Sequence, residues 1–214
     1  MAADLLRQLA SSGKLIQIAL IRHGKTNKMT DDLARSLTPE GIEMAKLAAA
    51  KWAAACGPAG LGSYVFCSRA QRTHQTARLL ASTADLKCLD CLYPSEAASI
   101  NKAEWDQINV VFGGTLGYAP LQAYEDYGSL TNALDTYAVN VWQEALTKHP
   151  HSESVITIFS HAVFVSATAR FASRALGLGE PTCIMDTTVG EACGFLFKLG
   201  GESRTWEVQY VTHM

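Results

Sequence analysis

The tripeptide Arg22-His23-Gly24 combines two side chains that act on phosphate groups. A neutral histidine is a competent nucleophile, and its ordinary pKa near ~6.5 leaves it partly unprotonated at neutral pH. Arginine presents a planar fork of donors that matches phosphate oxygens. The tripeptide follows residues 15–21, an apolar run typical of a buried strand, so His23 is predicted at the end of that strand.

Two more predicted strands end in polar residues. Ser68 and Arg72 follow the apolar run at residues 64–67, and Ser160-His161 follows the run at residues 155–159. Ligands of open α/β sheets bind outside the carboxyl ends of the strands. If these strands are parallel neighbours, two histidines and two arginines meet in one crevice, which suits an anion with several oxygens.

Strand and helix patterns alternate along the chain. Helices are predicted at residues 1–12, 39–55, 73–82, 131–148 and 162–176. Thr38 and Ser68 are predicted to cap two of them. A further strand is predicted at residues 86–93, and residues 191–199 and 206–211 are predicted to form a terminal hairpin. The alternation favours a single-domain α/β fold, a three-layer α/β/α sandwich with a mostly parallel central sheet.

Composition limits the class of protein. The chain has 214 residues, 48% of them hydrophobic, and a formal net charge of −2, which fits one large soluble domain covering residues 1–214. Lysine and arginine form no dense cluster, so nucleic acid is excluded as a main partner. The single C-x-x-C pair, Cys88 and Cys91, lacks the partners of a metal site. With no secretory leader or membrane-length apolar stretch, and with cysteines predicted as free thiols, we expect a cytoplasmic protein without membrane partners.

Three motifs together resemble the histidine phosphatase superfamily, which includes the cofactor-dependent phosphoglycerate mutases. They are Arg22-His23-Gly24, residues 68–77 with the sequence SRAQRTHQTA, and Ser160-His161. The middle motif is the most specific, because its serine stands four residues before an arginine and the motif ends in Gln-Thr-Ala. The resemblance spans most of the chain and implies a phosphoglycerate mutase-like fold.

The resemblance also implies roles for single residues. His23 corresponds to the nucleophile that becomes phosphorylated. Arg22, Arg72 and His161 correspond to the phosphate pocket, and neither a metal ion nor a cofactor is implied. Arg69 does not fall on the family's arginine position and is expected to face solvent. The other histidines match no catalytic position and are expected at the surface: His74, His149, His151 and His213.

A phosphatase that cleaves esters also needs a general acid that protonates the leaving oxygen. In many members of the family this acid lies after the third strand, which makes Glu96 the candidate, with Glu104 close enough to compete. Residues 94–130 are expected to form an insertion that covers the substrate. The role of the acid is therefore assigned to this segment.

Other positions separate the chain from the mutases. Lys25 stands where the family often has an acid, the Trp-Asn that follows in mutases is missing, and Ala162 replaces a common glycine. Residues 31–41, DDLARSLTPEG, are similar to a segment of small bacterial phosphohistidine phosphatases in which an aspartate and an arginine precede Leu-Thr. The resemblance is therefore closer to the phosphatases.

The motifs predict a metal-independent phosphatase that hydrolyses a phosphomonoester or a phosphohistidine through a covalent phosphohistidine intermediate. The expected substrate is a phosphorylated small molecule or a phosphoprotein. Two alternatives stay open at this point. One is phosphoryl transfer of the phosphoglycerate mutase type, and the other is a phosphate-binding scaffold with weak catalysis.

Overall fold

The computed structural model describes residues 1–27, 30–93, 110, 119–150, 152–200 and 204–213. Six strands in this part of the chain form one sheet: β1 (Gln17–Arg22), β2 (Tyr64–Cys67), β3 (Asp85–Cys88), β4 (Val155–Ser160), β5 (Gly194–Leu199) and β6 (Trp206–Val211). Their order is β3-β2-β4-β1-β5-β6. The strands from β3 to β1 are parallel, and β5 and β6 add an antiparallel edge. The sheet is mostly parallel, which confirms the predicted fold class.

Helices connect the strands. The described residues include six: α1 (Ala2–Ser11), α2 (Pro39–Cys56), α3 (Gln71–Leu80), α4 (Gly128–Lys148), α5 (Ala162–Ala175) and the short α6 (Thr182–Met185). The described part of the chain also contains three 3₁₀ turns, at Gly57–Ala59, Asp90–Leu92 and Leu121–Tyr124. Among these helices, none combines the length and the apolar character that a membrane span requires.

Alternation along β1 divides the core between the two faces of the sheet. Ile18 and Leu20 belong to a cluster with buried residues of α1, α4 and α5. Ala19 and Ile21 belong to a second cluster with buried residues of α2 and α3. Successive side chains of a strand point to opposite faces, and a strand covered on both faces is apolar throughout. The continuous apolar run before Arg22 therefore reflects a three-layer sandwich.

One predicted helix cap is confirmed and the other is wrong. Thr38 Oγ1 accepts a hydrogen bond from the Gly41 amide at 2.9 Å and caps α2. Helix α3 begins after Ala70, which has no capping side chain. Ser68 lies two residues before Ala70, and its hydroxyl bonds to His161 instead of capping the helix.

The predicted strand at residues 86–93 is correct only in its first half. Strand β3 ends at Cys88, because the neighbouring strand β2 ends at Cys67. The amide of Leu89 makes the last bond, to the Cys67 carbonyl at 3.0 Å. The chain then turns and buries Leu89 and Leu92 in the core.

Two further expectations need correction. Strand β5 begins at Gly194 rather than at residue 191, because residues 191–193 form a turn with Ala192 at φ 58°. His149 is buried rather than at the surface, with Nε2 3.0 Å from the Glu153 carbonyl oxygen. All six cysteines are free, as expected.

Candidate active site

The three strands that end in polar residues are neighbours at the centre of the sheet, in the order β2-β4-β1. Arg22 pairs in register with Ser160, so His23 and His161 leave the sheet side by side. Their ring centroids are 5.2 Å apart, with one ring edge-on to the other. Arg22, Arg72 and both histidines are buried together at the carboxyl ends of the strands.

His23 is fixed in one tautomer. Its Nδ1 lies 2.7 Å from the Gly24 carbonyl oxygen, which only accepts, so Nδ1 carries the proton. Its Nε2 accepts a hydrogen bond from Arg72 Nε at 3.2 Å. The neutral ring therefore directs the lone pair of Nε2 toward the arginine.

His161 holds its proton on the opposite nitrogen. Arg72 Nη2 donates to Nδ1 at 3.2 Å, so Nε2–H donates to Ser68 Oγ at 3.0 Å. The Thr73 hydroxyl donates to the carbonyls of Ser68 and Ala70, which leaves Ser68 Oγ–H to donate to Thr73 Oγ1. These hydrogen bonds hold the His161 ring at Nε2, on the side opposite Arg72.

Both rings are neutral at physiological pH. Burial is the largest cause that lowers the pKa of His23 well below its usual value, and electrostatic interactions with His161, Arg72 and Arg22 lower it further. Burial also lowers the pKa of His161 well below its usual value, helped by the charges of nearby arginines. A neutral histidine keeps its lone pair, so His23 Nε2 is available as a nucleophile.

Arg72 occupies the middle of the site. It belongs to the first turn of α3, and its side chain is 5% exposed. Its Nη1 donates to the main-chain oxygen of Asp32 at 2.5 Å, and its Nη2 donates to Asp32 Oδ2 at 2.9 Å. The guanidinium thus bridges the two histidines and Asp32.

Arg22 is held from the antiparallel side of the sheet. Its Nη1 donates to the Val189 carbonyl at 2.6 Å, and its Nη2 lies 3.7 Å from Glu191 Oε1. Its own amide bonds to the Cys193 carbonyl at 2.9 Å. Residues 189–193 therefore fix one of the two buried arginines of the site.

Sequence reasoning missed the residues that support the site. Tyr93 OH donates to Asp32 Oδ2 at 2.7 Å, and Arg35 Nη1 donates to Oδ1 at 2.7 Å. Burial acts to raise the pKa of Asp32, but the bonds from Tyr93 and Arg35 and the interaction with Arg72 outweigh it and lower that pKa to about 2. The sequence signal for these residues was the similarity of residues 31–41 to phosphohistidine phosphatases, which share the aspartate and the arginine. That similarity did not indicate that Asp32 contacts Arg72.

Some predicted residues lie elsewhere. Glu96 and Glu104 are outside the described residues. Arg69 is exposed as expected, and its guanidinium lies 5.1 Å from the centroid of the Tyr93 ring. In the part of the chain that the structure describes, no three His, Cys, Asp or Glu side chains form a group suited to a metal ion.

Comparison with known families explains this arrangement. The model described as histidine phosphatase superfamily (branch 1) matches residues 18–188. The chain belongs to this superfamily. No curated protein matches the sequence.

Solved structures confirm the phosphoglycerate mutase-like fold of this histidine phosphatase. Phosphoserine phosphatase from Entamoeba histolytica is 17% identical, with a TM-score of 0.55 over 92% of this chain and 96% of that one. The putative phosphohistidine phosphatase SixA from Nakamurella multipartitia is 18% identical, with a TM-score of 0.56 over 92% and 95%. Mycobacterial glucosyl-3-phosphoglycerate phosphatase is 16% identical, with a TM-score of 0.54 over 91% and 98%.

Proposed function

We propose that this histidine phosphatase is a metal-independent hydrolase of phosphomonoesters or phosphohistidine, and that its reaction passes through a phosphohistidine at His23. One observation carries the proposal: the Nε2 lone pair of a buried, neutral His23 lies 3.2 Å from the Nε donor of Arg72. A nucleophile beside a phosphate-binding fork fits phosphoryl transfer.

In the first step, His23 Nε2 attacks phosphorus. A P–N bond forms, the bond from phosphorus to the leaving group breaks, and the leaving group takes a proton. Arg22 and Arg72 bind the phosphoryl oxygens and stabilise the charge that spreads over them. We assign the donation of this proton to Glu96. Asp32 is unsuited to this role because its pKa of about 2 leaves it ionised.

In the second step, water attacks the phosphohistidine and gives a proton to the Glu96 carboxylate that the first step left ionised. The P–N bond breaks, inorganic phosphate leaves, and Nε2 recovers its lone pair. His161 acts on the same group through Nδ1, which faces Arg72 in the free site. A bound phosphate offsets the arginine charges that lower the pKa of His161, so that Nδ1 gains a proton and donates to a phosphoryl oxygen.

The names of similar proteins support the proposed substrate class. Three solved structures with this fold carry the names of phosphatases for phosphoserine, phosphohistidine and glucosyl-3-phosphoglycerate. We extend this to a phosphorylated small molecule or a phosphoprotein as substrate of this chain. Residues 94–130 are proposed to cover the leaving group.

Trapping of the intermediate tests the proposal. The protein is mixed with p-nitrophenyl phosphate or a phosphohistidine peptide in the presence of a chelator, then quenched in alkali, where phosphohistidine persists. Mass spectrometry is expected to find the phosphoryl group on the peptide that contains His23. His23→Ala is expected to lower turnover more than about 1000-fold, as loss of a nucleophile does.

A matched histidine serves as control. His74→Gln alters a half-buried ring on α3 that contacts Cys67 instead of the pocket, and it is expected to retain turnover. Full turnover by His23→Ala would contradict the proposal. Return of the phosphoryl group to 2- or 3-phosphoglycerate instead of water would establish the mutase reaction, and phosphate binding without turnover would establish a scaffold.

A further inference from the structure

The guanidinium of Arg72 has two edges, and Asp32 holds the outer one. Nη1 bonds to the Asp32 main-chain oxygen at 2.5 Å, and Nη2 bonds to Oδ2 at 2.9 Å. The inner edge faces the histidines, with Nε 3.2 Å from His23 Nε2 and Nη2 3.2 Å from His161 Nδ1. Because a guanidinium is planar, a fixed outer edge determines where the inner edge points.

Asp32 is itself held on both carboxylate oxygens. Tyr93 OH donates to Oδ2 and Arg35 Nη1 donates to Oδ1, each at 2.7 Å. Arg35 is fixed in turn, because its Nη2 donates to Thr26 Oγ1 at 2.5 Å and its Nε donates to the Asn27 carbonyl at 2.9 Å. The carboxylate therefore has a defined position although its side chain is 41% exposed.

The charge of Asp32 has a second effect. Its carboxylate repels an anion that approaches Arg72, so it weakens the hold of the pocket on a free phosphate. Phosphoryl transfer depends mostly on positioning and on electrostatic stabilisation of the transition state. A group that aligns Arg72 while opposing ground-state binding thus favours the transition state.

We infer that Asp32 is a positioning residue that aligns the inner edge of Arg72 with the transferring phosphoryl group and limits the affinity for free phosphate. This inference rests on the proposed function and deepens it. The inference predicts that loss of Asp32 affects two affinities differently, which we call the split. Loss of Asp32 weakens binding of a transition-state analogue but not binding of inorganic phosphate.

Titration calorimetry with inorganic phosphate and with orthovanadate measures this split. Vanadate bonded to a histidine nitrogen is five-coordinate and reproduces the transition state more closely than tetrahedral phosphate. The wild-type protein is expected to prefer vanadate. Asp32→Ala is expected to reduce that preference by about 10- to 100-fold, the effect of a small misplacement, while phosphate binds equally or more tightly.

Two more variants complete the test. Asp32→Asn keeps one acceptor oxygen for Arg72 and is expected to recover part of the vanadate preference. Glu40→Gln removes an exposed carboxylate that pairs with Lys25 and is expected to change neither affinity. Thermal unfolding of each variant shows that it is folded.

The contradicting outcomes are distinct. An equal loss of both affinities in Asp32→Ala and Asp32→Asn would mean a purely structural role, and an unchanged preference would mean no role; either overturns the inference. If the wild-type protein prefers vanadate and Asp32→Ala reduces that preference, but the wild-type protein turns over no substrate, the proposed hydrolysis fails and the alignment of Arg72 by Asp32 stands. If it binds neither anion, both fail.

Discussion

At the scale of single residues, the two histidines hold their protons on opposite nitrogens. His23 donates from Nδ1 to a main-chain carbonyl, and His161 donates from Nε2 to Ser68. Each ring thereby turns an acceptor nitrogen toward Arg72. The bonds behind the rings therefore decide which atoms face an incoming phosphate.

Ser68→Ala tests the bond behind His161. The change leaves the buried Nε2–H without its acceptor, which is expected to cost about 1–3 kcal/mol of the free energy of unfolding. It also frees the ring to turn, so kcat is expected to fall about 10-fold. Denaturant unfolding and steady-state kinetics measure the two effects.

Ser160→Ala is the matched control, since Ser160 Oγ is buried and bonds to Tyr137 OH at 2.8 Å. It is expected to cost similar stability with little effect on kcat. If both variants reduce kcat in proportion to their loss of stability, the bond from Ser68 does not orient His161.

Sequence could predict only part of this site. His23, Arg72 and His161 follow three apolar strands, and parallel strands bring their ends together, so pattern and motif both located them. Asp32 and Tyr93 lie outside those strand ends. Their contact joins positions 61 apart in the sequence and exists only once the sheet has formed.

At the scale of elements, two glycines let the segment after β1 touch the first turn of α2. A Cβ on Gly41 would lie 2.2 Å from the Lys25 carbonyl oxygen, and a Cβ on Gly24 would lie 3.0 Å from the Gly41 carbonyl oxygen. Gly24 also donates its amide to Thr76 Oγ1 on α3 at 3.0 Å. Close packing of α2 thus holds the chain just after His23.

Gly41→Ala is expected to push this segment away from α2. Main-chain atoms form the obstacle and cannot rotate aside, so we expect a loss of about 1–3 kcal/mol in the free energy of unfolding, together with reduced turnover. Denaturant unfolding measures the first effect, and kinetics with p-nitrophenyl phosphate measures the second.

Gly128→Ala provides the comparison, because a Cβ there meets nothing within 4 Å in the first turn of α4. It is expected to leave turnover unchanged and to stabilise the protein by up to about 1 kcal/mol through helix propensity. Equal effects of the two substitutions would show that Gly41 has no special packing role.

Element boundaries show where local sequence is insufficient. The central strands β1 and β4 were predictable because both faces are covered and residues 18–21 and 155–160 are apolar or small. The end of β3 was not, since it depends on the length of β2 beside it. Ser68 is of a residue type that often caps helices, but its hydroxyl bonds to His161, which is 93 positions away in the sequence.

At the scale of the whole molecule, the two histidines of the site, His23 and His161, link stability to pH. Their pKa values are lower in the folded protein than in the unfolded chain, so the unfolded chain binds protons more readily as pH falls. Stability is therefore complete above the ordinary histidine pKa near ~6.5 and decreases below it. Asp32 contributes in another range, because its contribution is lost as pH falls from the ordinary aspartate pKa of 3.8 toward its folded-state pKa of about 2.

Denaturant unfolding between pH 7.5 and pH 5 measures this linkage. The free energy of unfolding is expected to fall by up to about 1.4 kcal/mol per pH unit for each histidine that stays neutral in the folded state. His161→Gln is expected to flatten the dependence, because it removes one of the two groups. A stability that is constant over this range would contradict neutral, buried rings.

Because β4 lies between β1 and β2, the centre of the sheet can form only after β4 has been synthesised. Ser68 and His161 are 93 positions apart, and the two earlier strands emerge with the gap between them still empty. A nascent chain that stops before residue 155 lacks both the second histidine and the strand that joins its halves. A chain truncated upstream of β4 is therefore expected to be inactive, because it lacks His161 and the strand that joins β1 to β2.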